Sequence, residues 1–231
     1  MRRVLPVLAG VVATLVAAPA APALADSVQL GAVTVRVTAE TDQVVTVNRT
    51  RGWHARVAWW VRTDAGWVRE ARVRDGRIGY GGLVRGSRRV QGTGTTPLGT
   101  YRLLSSFGSH ARDASWDLAY RKIRRGDFWV QDNRSAFYNR YRNKSQGGFR
   151  WWLPTSDANS SERLRSFPTQ YEYAVVTGFN RDQVRHRGSG IFLHVNGSGA
   201  TGGCVSVPRA LMQRLMAELD PAARPVIAVG R

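Results

Sequence analysis

Residues 191–208 read Ile-Phe-Leu-His-Val-Asn-Gly-Ser-Gly-Ala-Thr-Gly-Gly-Cys-Val-Ser-Val-Pro, and they hold Cys204, the only cysteine among 231 residues. His194 lies ten residues before it, on a β-prone run from Ile191 to Val195. Four glycines separate the two side chains. The pattern predicts a strand that carries a base, a glycine-rich turn and a thiol, which suits a cysteine nucleophile. An inert buried cysteine is the alternative that the spacing alone leaves open.

A helix is predicted directly after this stretch. Leucines recur every fourth residue beyond Pro208 and form one apolar stripe at helical spacing, at Leu211, Leu215 and Leu219. Proline suits the first turn of a helix, and Ser206 is the predicted N-cap. Asp220-Pro221 is expected to end the helix, and Pro225 to Val229 predicts a final strand.

The rest of the chain is predicted to be mainly β. Alternating polar and β-branched or aromatic residues indicate strands at Ser27–Val37, Gln43–Val47, Trp53–Arg62, Trp67–Val73 and Tyr171–Phe179. Residues 105–170 are irregular, with a short helix expected at Ser160–Ser166, and such a long excursion is either functional or a cover for a sheet edge. No linker divides the chain, so residues 26–231 are predicted to form a single domain.

The N-terminus has the pattern of an export signal. Arg2 and Arg3 precede an apolar run, and Ala23-Leu-Ala25 is a small-residue cleavage motif, so residues 1–25 are predicted to be a signal peptide. An uncleaved membrane anchor is the competing hypothesis, since Val4 to Ala25 holds no charge. Either way, the protein is expected to be exported.

The chain carries a formal net charge of +18, almost all of it from arginine. Such a charge attracts polyanions, although a biased amino-acid usage also explains scattered arginines. No basic stripe interleaved with aromatic residues and no nucleic-acid motif is found, so a nucleic-acid partner is not expected. One cysteine and four scattered histidines give no metal-ligand spacing, so neither a metal nor another cofactor is expected.

The sequence offers two ways to activate the thiol, which attacks as its thiolate. The positive end of the predicted helix would lie near Cys204 and lower its pKa, and His194 would take the proton or pair with the thiolate. Backbone N–H groups at Gly202, Gly203 and Cys204 would face a developing oxyanion. This arrangement suits acyl transfer from an amide through a thioester.

Several motifs resemble those of the YkuD-type L,D-transpeptidases, in the same order along the chain. Thr201-Gly-Gly-Cys-Val-Ser206, with His194 upstream, is similar to the cysteine signature of that family, and Gly94-Thr-Thr-Pro-Leu-Gly-Thr-Tyr101 is similar to its Thr-Pro-x-Gly-x-Tyr/Phe turn. The resemblance spans Val68 to Arg231 and is strongest to an exported subgroup with a Gly-Cys-Val centre. Two positions depart from the common pattern: Gly202 replaces a histidine, and Ser206 replaces an arginine or asparagine.

The resemblance implies a β-sandwich-like catalytic domain that acts on peptidoglycan stem peptides at the cell wall. Cys204 would attack the stem peptide and His194 would act as base and then acid. An amine of a second stem would resolve the thioester, and anionic wall polymers would be further partners of a monomeric enzyme. Thr201 and Ser206 are the loop residues implied near the substrate. Tyr138 and Asn139 are expected either to line the donor groove or to pack beneath it.

Two alternatives to a crosslinking transpeptidase remain open from the sequence. The first is an L,D-carboxypeptidase, in which water replaces the amine as acceptor on the same scaffold. The second is a basic wall-binding module without activity, in which Cys204 is structural. The nucleophile is the same in both enzymes, so the sequence does not separate them.

Overall fold

A computed structural model describes residues 26–231 of the chain. The predicted signal peptide, residues 1–25, therefore lies outside the described residues. From residue 26 onward, the single α-helix is too short to span a membrane.

Residues 26–231 form fifteen strands, one α-helix and four short 3-10 helices. The strands are β1 Asp26–Leu30, β2 Val33–Val37, β3 Gln43–Arg51, β4 His54–Thr63, β5 Gly66–Arg77, β6 Leu83–Arg85, β7 Thr96–Gly108, β8 Tyr120–Lys122, β9 Asp127–Trp129, β10 Tyr141–Asn143, β11 Glu162–Arg163, β12 Tyr173–Thr177, β13 Phe192–Val195, β14 Val205–Val207 and β15 Val226–Gly230. The helix α1 is Arg209–Glu218, and the 3-10 helices are Gly86–Arg88, Lys144–Gln146, Leu164–Ser166 and Gln170–Glu172.

Eight of the strands close into a ring. The hydrogen-bonding path runs β7-β15-β3-β4-β5-β14-β13-β12 and returns to β7. The long β7 makes this closure, because its residues 99–102 pair with β15 and its residues 103–108 pair with β12. The prediction of a mainly β fold with one helix after the cysteine is confirmed.

The side chains on the two faces of β13 belong to two different hydrophobic clusters. Leu193 and Val195 belong to the main core, in which α1 packs against β12 and β13. Phe192 belongs to a second cluster, which also includes Tyr171 and Cys204. Because side chains alternate along a strand, His194 lies on the same face as Phe192. The predicted nucleophile and base thus lie on the face opposite the main core.

The irregular segment covers this second face. Its residues 105–170 contribute β8 to β11, and β9 lies between β10 and β11 in a separate three-stranded sheet. Trp129 and Leu164 pack from this segment into the second cluster. The short helix expected at Ser160–Ser166 is present only as the 3-10 helix Leu164–Ser166, because Glu162–Arg163 form β11.

The predicted N-cap of α1 is also wrong. Ser206 lies within β14, where its hydroxyl donates to Asn196 Oδ1 at 2.7 Å. The N-cap is Pro208, which has no side chain able to accept a hydrogen bond from the first turn. Parallel pairing of β14 with β13 keeps Ser206 extended and places it opposite His194.

Candidate active site

Cys204 lies in the turn that leads into β14, and its thiol is held by backbone groups. The Phe192 N–H donates to Sγ at 3.3 Å, and Sγ donates to the Gly190 carbonyl at 3.1 Å. Only 8% of Cys204 is exposed. Both Cys204 and His194 line one cleft of about 380 Å³. The structure therefore brings the predicted nucleophile and the predicted base to one cavity.

The imidazole of His194 has a defined tautomer. Its Nδ1 lies 2.8 Å from the Val195 carbonyl oxygen. A carbonyl oxygen only accepts, so Nδ1 carries the proton and Nε2 keeps a free lone pair. Burial lowers the pKa of His194 to about 4, against the favourable effect of the Val195 carbonyl. At neutral pH the histidine is therefore an uncharged base, oriented by a backbone carbonyl.

The thiol is not activated in the way that the sequence suggested. Burial raises the pKa of Cys204 to about 12, and the nearby Glu162 carboxylate adds to this effect. The expected lowering by the helix is wrong for the resting site, because β14 separates Cys204 from the first residue of α1, Arg209. The resting thiol and imidazole are both neutral, so a nucleophilic role for Cys204 would require Sγ to lose its proton to a base.

Thr201 organises the glycine turn before the cysteine. Its hydroxyl donates to the Cys204 carbonyl at 2.6 Å and accepts from the Gly203 N–H at 3.2 Å. Thr201, one of the two loop residues implied near the substrate, thus bonds within the loop and lines the cleft. The Gly203 N–H is engaged by Thr201 in this arrangement, and Gly202 is exposed beside the cleft. The role of these glycines at an oxyanion stays a prediction.

The two glycines of the turn differ in what a side chain would meet. Gly203 has φ +130°, and a Cβ there would lie 2.8 Å from the Thr95 carbonyl oxygen and 2.7 Å from Arg89 Nη2. At Gly202 a Cβ would have nothing within 4 Å. The Cβ of a residue other than glycine would therefore meet no collision at position 202.

A Gly203→Ala variant is expected to lose about 1–3 kcal/mol of unfolding free energy through backbone strain. Its Cys204 environment should also be displaced by the clash with Thr95. Urea unfolding and the rate of thiol alkylation would measure both effects. Gly202→Ala is the matched control. Its free energy of unfolding should stay within about 0.5 kcal/mol of the wild type, and its rate of thiol alkylation within about twofold. Equal behaviour of the two variants would contradict the assigned geometry.

Three further predicted substrate residues do not line the cleft. Ser206 and Tyr138 are fully buried, and Asn139 is 5% exposed. The Tyr138 hydroxyl donates to Gln91 Oε1 at 2.7 Å and accepts from the Gly188 N–H at 2.9 Å. Asn139 Oδ1 accepts from the Gly190 N–H at 3.0 Å. For Tyr138 and Asn139 the structure therefore shows packing beneath the cleft, the second of the two expected positions.

Two charged residues of the cleft were missed by the sequence analysis. Arg89 and Glu162 both line the cavity beside Cys204. Neither forms a salt bridge with any of residues 26–231. Neither residue stands out in the sequence, since Arg89 is one of many arginines and Glu162 is one acid in an irregular segment. Only their burial beside Cys204 distinguishes them. Within the described part of the chain, no three His, Cys, Asp or Glu residues cluster as metal ligands do.

Comparisons with known proteins give the family to which the chain belongs. The family model of the YkuD L,D-transpeptidase catalytic domain matches residues 42–227, so the match begins before Val68, where the motif resemblance started. A search of curated proteins finds no match. Among solved structures, that of Bdellovibrio bacteriovorus Bd1075 has a TM-score of 0.41 and 14% identity over 82% of this chain, which spans 48% of that chain's length. The family match covers most of the sequence, and the chain belongs to the YkuD family of L,D-transpeptidase catalytic domains.

Proposed function

We propose that this domain is a peptidoglycan L,D-transpeptidase that forms crosslinks by cysteine acyl transfer. The observation that carries the proposal is that Cys204 and a neutral His194 line the same cleft. Sγ attacks the carbonyl at the L-centre of a donor stem, while His194 Nε2 takes the thiol proton. The C–N bond then breaks, and the leaving D-amino acid receives that proton from His194. An acceptor amine attacks the resulting thioester and releases the thiol.

The surroundings of Arg89 favour a donor substrate that carries a carboxylate. Its side chain is 5% exposed, and its Nε and Nη1 donate to the Thr95 and Arg187 carbonyl oxygens at 2.7 and 3.2 Å. No carboxylate of residues 26–231 forms a salt bridge with it. A buried cation without an anionic partner is costly, and an anionic ligand removes much of that cost. The terminal carboxylate of a stem peptide would supply the missing anion next to Cys204.

The proposal places the enzyme outside the cytoplasm, at the wall. Support comes from the N-terminal signal pattern and from the net charge of +18, which suits anionic wall polymers. Such attraction is screened by salt, so binding to isolated walls should weaken as the ionic strength rises.

A carbapenem is expected to form one covalent adduct with the protein, because these β-lactams acylate the nucleophile of L,D-transpeptidases as a family. Intact-mass measurement on residues 26–231 would detect it. The Cys204→Ala variant is the control and should remain unmodified. An unmodified wild type whose thiol also resists small alkylating reagents would overturn the proposal in favour of a structural cysteine and a wall-binding module.

Product analysis then separates transfer from hydrolysis. The protein would be incubated with a disaccharide-tetrapeptide, and the products separated by mass. A crosslinked dimer that is absent with Cys204→Ala supports the transpeptidase. A trimmed monomer alone, even at high concentrations of added amine, would replace it with the L,D-carboxypeptidase.

A further inference from the structure

Glu162 lies in the wall between two clefts. The cleft of Cys204 and a neighbouring cleft of about 550 Å³ share three lining residues, Gln131, Glu162 and Phe167. Glu162 therefore faces both the cleft that contains the thiol and the neighbouring cleft.

The carboxylate of Glu162 is held by neutral groups only. The Tyr171 hydroxyl donates to Oε1, and Gln131 Nε2 donates to Oε2 at 3.2 Å. Among residues 26–231 no Lys, Arg or His forms a salt bridge with it. A partly buried carboxylate without a cation is costly in its charged form, and a bound cationic ligand would relieve that cost.

Glu162 is close to the reacting sulfur. A Cβ built on Gly190 would lie 3.5 Å from Glu162 Oε2, and the carbonyl of the same glycine accepts from Cys204 Sγ at 3.1 Å. One backbone unit therefore separates the carboxylate from the thiol. Tyr171 links Glu162 to the base as well, because its ring packs edge-on against His194 with centroids 5.6 Å apart.

The groups around Glu162 allow it to take up a proton near neutral pH. Burial raises its pKa to about 7, against the hydrogen bonds from Tyr171 and Gln131. Burial also raises the pKa of Tyr171 well above its usual value, so this hydroxyl stays protonated. The other titratable groups that face the two clefts are Cys204, His194, Tyr80, Arg89, Arg125, Lys144 and Arg163.

Resting on the acyl transfer proposed above, we propose that Glu162 binds the ammonium group of the acceptor and removes its first proton. The free amine then attacks the thioester carbonyl, so that a C–N bond forms and the C–S bond breaks. The second proton of the attacking nitrogen passes to His194 and from there to Sγ, which restores the thiol. The proton on Glu162 is released to solvent. Thioester and ammonium thus give amide, thiol and one proton.

Glu162→Gln tests this role with little change of shape. The variant keeps an oxygen for Tyr171, and the amide of Gln131 can turn to accept from the new NH₂. At pH 7 the amine-dependent release of the acyl group from Cys204 is expected to fall about 100-fold. Acylation by a carbapenem should equal or exceed that of the wild type, because loss of the negative charge favours the thiolate.

Two further readouts separate this role from a structural one. Hydroxylamine, which is uncharged at neutral pH, should release the acyl group equally fast from both proteins. With a lysine-type amine, the defect should shrink as the pH approaches the pKa of that amine. Equal transfer by Glu162→Gln at pH 7, or a defect that persists with hydroxylamine, would overturn the assignment. Failure of the wild type to form any adduct would instead overturn the acyl transfer itself.

Discussion

A His194→Gln variant will acylate Cys204 with a carbapenem about 10²–10⁴ times more slowly than the wild type. The resting thiol has a pKa of about 12, so the thiolate is scarce at neutral pH and its proton must be removed during attack. Nε2 of His194 is the free base that lines the same cleft. Glutamine has no basic nitrogen to replace it. Stopped-flow or intact-mass time courses would give the two rates.

The pH dependence of the wild type identifies His194 as this base. Because its pKa is about 4, the base form persists below neutral pH, and acylation should stay nearly flat from pH 7 to about pH 5. The rate should fall only as the pH approaches 4. A rate that halves near pH 6.5, the ordinary value of histidine, would contradict the buried neutral imidazole.

Stability measurements test whether His194→Gln acylates slowly because it lacks the base or because it is unfolded. The folded pKa of His194 is depressed below its unfolded value, so the unfolded chain binds more protons between about pH 6.5 and 4. The wild type therefore loses up to about 3 kcal/mol from this group as the pH falls through that window. His194→Gln lacks this loss and should be folded at pH 5. Its low acylation rate would then reflect chemistry.

The part of the candidate site that could be predicted comes mostly from residues that are close to Cys204 in the sequence. Cys204 and His194 could be predicted as candidates because strand, turn and thiol are neighbours in the chain, and parallel pairing of β14 with β13 keeps them on one face. The helix was predicted correctly, but not its effect on the thiol, since the three residues of β14 form a strand. Arg89 and Glu162 could not be predicted, because long-range packing alone makes them unpaired and buried.

Ser206 shows the limit of assigning a role by position in a motif. It aligns with a position that carries arginine or asparagine in many relatives, yet it is fully buried and bonded to Asn196. In this structure the cation of the cleft is Arg89, which follows a 3-10 helix in a different part of the chain. Position in the motif therefore does not place the side chain of Ser206 in the cleft of this protein.

Asn139→Ala will destabilise the protein by about 4 kcal/mol, because several buried polar groups lose their partner together. Asn139 Oδ1 accepts from Trp129 Nε1 at 2.9 Å and from the Gly190 N–H at 3.0 Å. Its Nδ2 donates to the Phe179 and Asn180 carbonyl oxygens at 3.0 and 2.9 Å. The residue also has φ +56°, a conformation that asparagine tolerates better than alanine. Urea unfolding would measure the loss.

Asn139→Asp is the matched control for the Gly190 contact, since it keeps both accepted hydrogen bonds. Its second carboxylate oxygen faces the Phe179 and Asn180 carbonyl oxygens, which also only accept, so this variant is destabilised as well. A loss below about 1 kcal/mol for Asn139→Ala would contradict the assigned contacts. Asn139 fixes the N–H of Gly190, and the carbonyl of that glycine holds the thiol of Cys204. Asn139→Ala should therefore slow carbapenem acylation even where it is fully folded, whereas Asn139→Asp, which still holds Gly190, should not.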